Sequence, residues 1–220
     1  MFENLLALVP EFGMAIWQTF TMVGISAAAA LLFGTPLGVL LFLTGKGQIL
    51  ERKHLHQTIN YVVNTVRSLP FIILLVAIIP LTRVIIGTTI GPIAASVPLS
   101  IAAIPFFSRL VEQALREIPK GVIEAAVAMG ASPLGLIWKV LLNEARASIV
   151  SALTVTSISL LSYSAMAGTV GGGGIGDLAI RFGYYRFQTE VMIATVVLLI
   201  LLVQIIQFTG NHFARLLDKR

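Results

Sequence analysis

The sequence predicts an all-α, polytopic membrane protein of five crossings, on three observations. First, 57% of its 220 residues are hydrophobic and only 11% are charged, against about 45–50% and about 25% in a typical soluble domain. Too few charges remain to coat a globule of this size, which excludes an ordinary soluble domain and a disordered chain. Second, charge-free intervals run from Glu11 to Lys46, Arg83 to Arg109, Arg146 to Asp177 and Glu190 to Arg215. Each holds one helical span, which needs about 20 apolar residues. Third, the basic residues behind the formal charge of +5 lie in short clusters along the chain. They form no aromatic-interleaved patch, which excludes a nucleic-acid partner. The chain has no cysteine, so no disulfide framework exists.

Taken in order, the spans are expected at about 14–42, 58–80, 91–111, 146–167 and 190–210. The first interval is long for one crossing, and Gly34, Pro36 and Gly38 are expected to bend it near its end. The second span contains Arg67, which either snorkels to the cytoplasmic face or pairs inside the bundle. Pro70 and Pro80 bracket its apolar run 71–79, the mark of a bent helix in a protein-lined centre. With the N-terminus outside, Lys46, Arg52, Lys53, Arg109, Arg116, Lys120, Lys139, Arg146, Arg215, Lys219 and Arg220 fall inside. Only Arg83, Arg181 and Arg186 fall outside, so N-out, C-in is expected. Residues 1–13 lack a basic n-region and a small-residue cleavage site, unlike a removable signal peptide.

The third and fourth spans are joined by an ordered cytoplasmic segment at about 112–145. Pro119 suits the first turn of a short helix running through Val122, Ala125, Ala126 and Met129. Gly130 ends it in a left-handed cap. Ser132 then caps a second helix with Pro133 at its first position, running to about Leu142. Small residues at Ala125, Ala126, Gly130 and Ala131 line the turn. They suit either a partner that grips the segment or a fold-back onto the bundle.

Here the chain resembles a family. Glu124-Ala125-Ala126, Gly130 and Val140-Leu141-Leu142 look like the EAA loop of binding-protein-dependent ABC importer permeases, with Asn143 where a proline is usual. Arg67-Ser68-Leu69-Pro70-Phe71, the run 105–132, Tyr163-Ser164-Ala165-Met166 and the glycines at 171–176 are similar to the methionine-importing members. The resemblance implies a single permease domain over 1–220, of the type I ABC importer fold, in a bacterial inner membrane. It implies a homodimer, two cytoplasmic ATPase subunits and an extracytoplasmic methionine-binding protein. It makes the segment at 112–145 the coupling loop, with Glu124, Ala125, Ala126, Gly130 and Ala131 in the cleft of the ATPase. The substrate, methionine in D or L form, rests on the resemblance alone. Another amino acid or small polar solute remains the alternative.

Other motifs carry less. Gly171, Gly173 and Gly176 spell G-x-G-x-x-G, but a membrane helix precedes them where the fingerprint needs a strand. They read as a tight external turn at the mouth of a pore. No G-x-x-x-x-G-K-[ST] occurs, so any ATP is hydrolysed by a partner and the chain itself is not expected to be an enzyme. His54, His56 and His212 do not make the convergent ligand set of a metal site, and no cofactor is expected.

The fourth span carries Ser148, Ser151, Val155, Ser159, Ser162 and Met166 on one stripe. The stripe serves either helix packing or a path along a dimer axis. Met166, near its outer end, is the expected gate, because a flexible thioether seals a narrow passage and yields when helices part. Two rival classes are an ion-gradient-driven transporter and a membrane anchor. No acidic residue lies at the centre of any expected span, which weakens the first.

Overall fold

The computed structural model describes residues 8–218. Residues 1–7 of the N-terminal stretch, and Lys219 and Arg220, lie outside that range. Every regular element among the described residues is helical. Helix α1 (Val9–Thr44) is a single 36-residue rod. Pro10 lies in its first turn, where the missing N–H costs nothing. One wide π turn, Ala30–Gly34, precedes Pro36. It makes room for the ring and for the carbonyl that the ring crowds, so the helix passes its expected bend and ends only at Thr44. The two glycines serve contact with a neighbouring helix. A Cβ at Gly38 would stand 2.6 Å from the Ser108 carbonyl, and one at Gly34 would stand 2.9 Å from the Phe107 ring.

The second expected span, 58–80, is not one helix. Helix α2 (Lys53–Ser68) and helix α3 (Phe71–Ile86) meet at 108°. The residue before a proline is driven out of the helical region, and Leu69 is extended (φ −81°, ψ 131°) ahead of Pro70. Pro80 sits inside α3 without ending it. Arg67 is therefore an exposed residue in the last turn of α2, at the favourable end of the helix dipole. It makes no ion pair among the described residues. α1 and three more helices are long and apolar enough to cross a membrane, and the bent α2–α3 pair supplies a fifth crossing when taken as one span.

Helix α4 (Pro92–Arg116) is the hub, packed against α1, α3 and the later span that starts at Arg146. Leu99, Phe107, Val111 and Leu115 are fully buried along it. It runs past its expected end, so Glu112 belongs to this helix and not to the loop. Helix α5 (Lys120–Ala128) and helix α6 (residues 133–144) follow. Helix α7 (Arg146–Gly172) is the hydroxyl-rich span. A short helix α8 (residues 174–184) and the long α9 (Thr189–Leu217) complete the chain. Gly210 lets α9 close on Thr154 of α7, where any Cβ would collide with the threonine side chain. The far side of α9, including Ile193, Val197, Ile200, Ile205 and Phe208, is exposed and apolar. A surface of this kind suits lipid.

The bundle has two distinct ends. At one, the start of α1 meets α8: Gln18 Oε1 accepts from the Gly174 N–H at 2.7 Å, and Thr19 Oγ1 accepts from Ile175 at 3.0 Å. At the other lie Thr44, the start of α2, the end of α4, and α5 and α6. There His56 Nδ1 donates to the Leu41 carbonyl at 3.1 Å, which ties α2 back onto α1.

Candidate functional site

The segment between α4 and α7 is built by its own local chemistry. Ile118 is buried and plants its start. Pro119 takes the N-cap position and α5 begins at Lys120, one residue later than the proline's expected place. At the far end, the Ala131 N–H donates to the Ala126 carbonyl at 3.0 Å and the Gly130 N–H to the Val127 carbonyl at 2.9 Å. This is the paired bond pattern of a Schellman cap. Gly130 has φ +79°, and a Cβ there would touch nothing within 4 Å. Glycine is therefore required for backbone angle, not for space. Gly130→Ala is expected to cost about 1–2 kcal/mol and Gly130→Asn less, read as the shift in the unfolding midpoint of the purified chain. An equal midpoint for all three chains would refute the strain. Ser132 Oγ accepts from the Gly135 N–H at 3.2 Å and caps α6, with Pro133 at its first position. α6 includes a π turn, Leu136–Leu141, and continues through Asn143 to Glu144.

The five expected coupling residues divide. Ala126 is buried and Ala131 half-buried, on the side of the turn where α5 packs against α6. Glu124, Ala125 and Gly130 are exposed, and Glu124 makes no ion pair among the described residues. Met129, Leu134 and Trp138 stand out from the same segment, 83%, 69% and 70% exposed. One side of the turn is thus packed against α6 and the other is open.

Directly behind this segment lies a cluster that was missed at the level of sequence. Glu112 is 4% exposed. Its Oε2 accepts from Arg109 Nη1 at 2.6 Å. Its Oε1 accepts from Arg116 Nε at 3.1 Å and Nη2 at 2.8 Å. Arg109 Nη2 in turn donates to the side-chain oxygens of Asn60 and Asn64, the latter at 3.0 Å. One buried carboxylate thereby ties α2 to the end of α4 next to the start of the segment. The signal is present as i, i+3 and i, i+4 spacing, hidden because the expected span 91–111 stops five residues short of the helix end at Arg116.

The α7 stripe is not a packing surface within this chain. Ser151 and Ser162 are exposed, Val155 and Met166 are 47% and 45% exposed, and Ser148 and Ser159 are half-buried. Ser151, Ser159 and Ser162 donate to the carbonyls of Ala147, Val155 and Ile158, one turn back on their own helix. The hydroxyls that do pack are Thr154, Thr156 and Ser164, off the stripe on the other sides of the helix. Ser148, Ser151 and Val155 wall a cleft of about 430 Å³ that also takes in Gln113 and Glu117 of the α4 end and Arg215 of α9. Phe71 at the start of α3 stacks on Tyr163 of α7, ring centroids 4.6 Å apart. Two of the motif runs, 67–71 and 163–166, therefore meet in space.

The glycines at the opposite end have two jobs. Gly171 and Gly173 adopt φ of +93° and +76° and make the turn. Gly176 is helical, and a Cβ there would collide with the Ala165 backbone, so it serves close approach and not the expected turn. Beside them, Arg181 pairs with Asp177 at 3.1 Å and Glu11 at 3.6 Å. Arg181 and Arg186 both lie over the Phe182 ring.

A family model described as the binding-protein-dependent transport system inner membrane component matches residues 34–220. The chain belongs to that family. It is 54% identical over 206 residues to a probable D-methionine transport system permease protein MetI of Vibrio cholerae, covering 94% of this chain and 92% of that protein. It is 45% identical over 208 residues to the counterpart in Pasteurella multocida, covering 94% and 96%. With the MetI of Escherichia coli K12 it shares 52% identity over 153 residues, 70% of each chain. The fold superposes on an inward-facing structure of the MetNI methionine ABC transporter with TM-score 0.95 and 46% identity, covering all of both chains. A chain of an amino acid ABC transporter solved with histidines shares the fold at TM-score 0.79 and 16% identity over 98% of each chain. The all-helical fold is thus shared with a chain of low sequence identity.

Proposed function

We propose that this chain is the membrane-spanning subunit of an ATP-driven importer that carries methionine into the cytoplasm. The observation that carries the reading is its full-length likeness, at 46% identity and TM-score 0.95, to a chain of a methionine ABC transporter. Two copies form the path, two cytoplasmic ATPase subunits drive it, and an extracytoplasmic binding protein delivers methionine. The N-terminus lies outside and the C-terminus inside. The end carrying α5 and α6 is cytoplasmic, since among the described residues Lys46, Arg52, Lys53, Arg109, Arg116, Lys120, Lys139, Arg146 and Arg215 gather there, against Arg83, Arg181 and Arg186 opposite.

The mechanism is alternating access. The ATPase grips the exposed side of the turn at Glu124, Ala125 and Gly130, while Ala126 and Ala131 pass its motion to the bundle. The clamp of Arg109, Glu112 and Arg116 carries the same motion across to α2. Moving such an equilibrium from 1:99 to 99:1 takes about 5.5 kcal/mol of differential binding, which ATP and the loaded binding protein supply. The loaded protein docks on the glycine turn at Gly171, Gly173 and Gly176 and on the Arg181–Arg186 face. The exposed α7 stripe faces the twofold axis, with Ser159 and Ser162 along the path and Met166 as its outer gate. An ion-coupled mechanism needs a free acid within the membrane, and Glu112, the buried one among the described residues, is held by two arginines at a helix end.

The test is reconstitution of the chain with its ATPase and binding protein in proteoliposomes. Uptake of labelled methionine is expected to require ATP and to survive collapse of proton and sodium gradients. Uptake driven by a gradient without ATP would replace this reading with a secondary transporter. In the same vesicles Met166→Ala is expected to raise ATP-independent leak severalfold and to lower the methionine imported per ATP. Unchanged leak and coupling would remove Met166 from the gate.

A further inference from the structure

We propose that the groove between α6 and the start of α7 binds the headgroup of an anionic phospholipid of the cytoplasmic leaflet. The inference rests on the membrane placement proposed above. The groove is shallow, about 500 Å³, and is lined by Trp138, Lys139, Leu142, Asn143 and Arg146. Trp138 and Leu142, like Lys139 and Asn143, are one turn apart, so the four share one side of α6. Leu136 and Leu141 bury the other side.

Three features point to a phosphodiester at this place. The first is depth. Arg146 opens α7, and its Nε donates to the Leu217 carbonyl at the end of α9 at 3.0 Å. The groove therefore sits level with the cytoplasmic ends of two spans, where headgroups lie. Exposed Phe213 and Leu216 on the last turns of α9 lie at the same level. The second is charge. Neither Lys139 nor Arg146 forms an ion pair among the described residues, and neither of the nearby acids, Glu144 and Asp218, lines the groove. With Nε fixed on a carbonyl, the Arg146 guanidinium is held in place, and its Nη donors can meet phosphate oxygens in the forked geometry arginine favours. The third is the indole. Trp138 is 70% exposed, wasteful in water but suited to the interface, where one edge of the ring is wet and the rest apolar. Basic pockets beside span ends on the cytoplasmic side recognise anionic headgroups in this way.

Trp17 and Trp138 are the chain's two tryptophans, so Trp17→Phe leaves Trp138 as the sole reporter. The full chain is placed in nanodiscs of phosphatidylethanolamine containing, at equal content, either phosphatidylglycerol or phosphatidylcholine brominated near the headgroup. Brominated phosphatidylglycerol is expected to quench Trp138 about threefold more strongly, with the difference falling at high salt. Lys139→Gln with Arg146→Gln is expected to abolish the difference. Lys139→Arg with native Arg146 is expected to keep it, which separates charge from folding. Equal quenching by both lipids would overturn the proposal. So would no quenching by either lipid together with loss of the copurifying ATPase in Trp138→Ala, which would assign the surface to that subunit. ATP-driven methionine uptake by the Trp17→Phe chain, assembled with its ATPase and binding protein, is measured in parallel. Intact uptake with flat quenching therefore sinks the lipid site alone.

Discussion

Glu124→Lys is expected to leave ATP hydrolysis running while methionine uptake collapses. Glu124 is exposed and has no ion-pair partner among the described residues, so its charge is available to the ATPase subunit proposed to grip the turn. A charge-assisted hydrogen bond is worth about 1.5–3 kcal/mol, so reversing the sign weakens that grip by about tenfold to a hundredfold. Gly130→Asp is expected to act in the same direction by a different route. Aspartate tolerates the left-handed backbone that φ +79° demands, so the turn survives and what changes is the charge presented there. Gly130→Asn is the control, with the same backbone and no charge. The measurement is methionine imported per ATP hydrolysed in proteoliposomes. Normal coupling in both Glu124→Lys and Gly130→Asp would remove this turn from the drive train.

The second large effect belongs to Glu112. Glu112→Ala leaves Arg109 and Arg116 facing each other across an empty site. Breaking a buried ion pair by removing one partner costs about 3–5 kcal/mol. Arg116 is half-exposed and rehydrates, so the lower end, about 3 kcal/mol, is expected. Glu112→Gln keeps one acceptor and should lose less. Asn60→Ala with Asn64→Ala releases α2 while leaving the Arg–Glu–Arg cluster intact, so it is expected to lower coupling more than stability. SDS-induced unfolding of the purified chain reads the first effect and the uptake-to-hydrolysis ratio reads the second. A Glu112→Ala chain that unfolds at the same point as the parent would show that the cluster contributes no net stability.

Hydropathy and charge spacing carried the architecture because both follow from the solvent. Lipid demands long apolar helices whatever they later touch, and Lys and Arg segregate to one end. The turn at 129–132 was legible for a similar reason, since Gly130, Ser132 and Pro133 act on their own backbone. What stayed hidden depended on neighbours. Gly34 and Gly38 read as bending residues, but their use is the approach of α4, which no local pattern records. Gly176 read as a turn residue, but its place is set by the Ala165 backbone. Pro70 read as a bend within one span, but the helix breaks there by 108°, and α2 is tied down separately through His56, Asn60 and Asn64. The α7 hydroxyls could be sorted into packing and exposed sets only once α9 was in position.

On the path proposed above, those exposed hydroxyls would have a consequence for selectivity. Ser151, Ser159 and Ser162 each direct their proton to a carbonyl of their own helix. Toward a passing solute they offer acceptor lone pairs and small apolar edges, but no free donor to hold a carboxylate. If the proposed path runs along this stripe, the corridor would be slippery: it would neither arrest the traveller nor interrogate it, and the choice of passenger would fall to whatever loads the entrance.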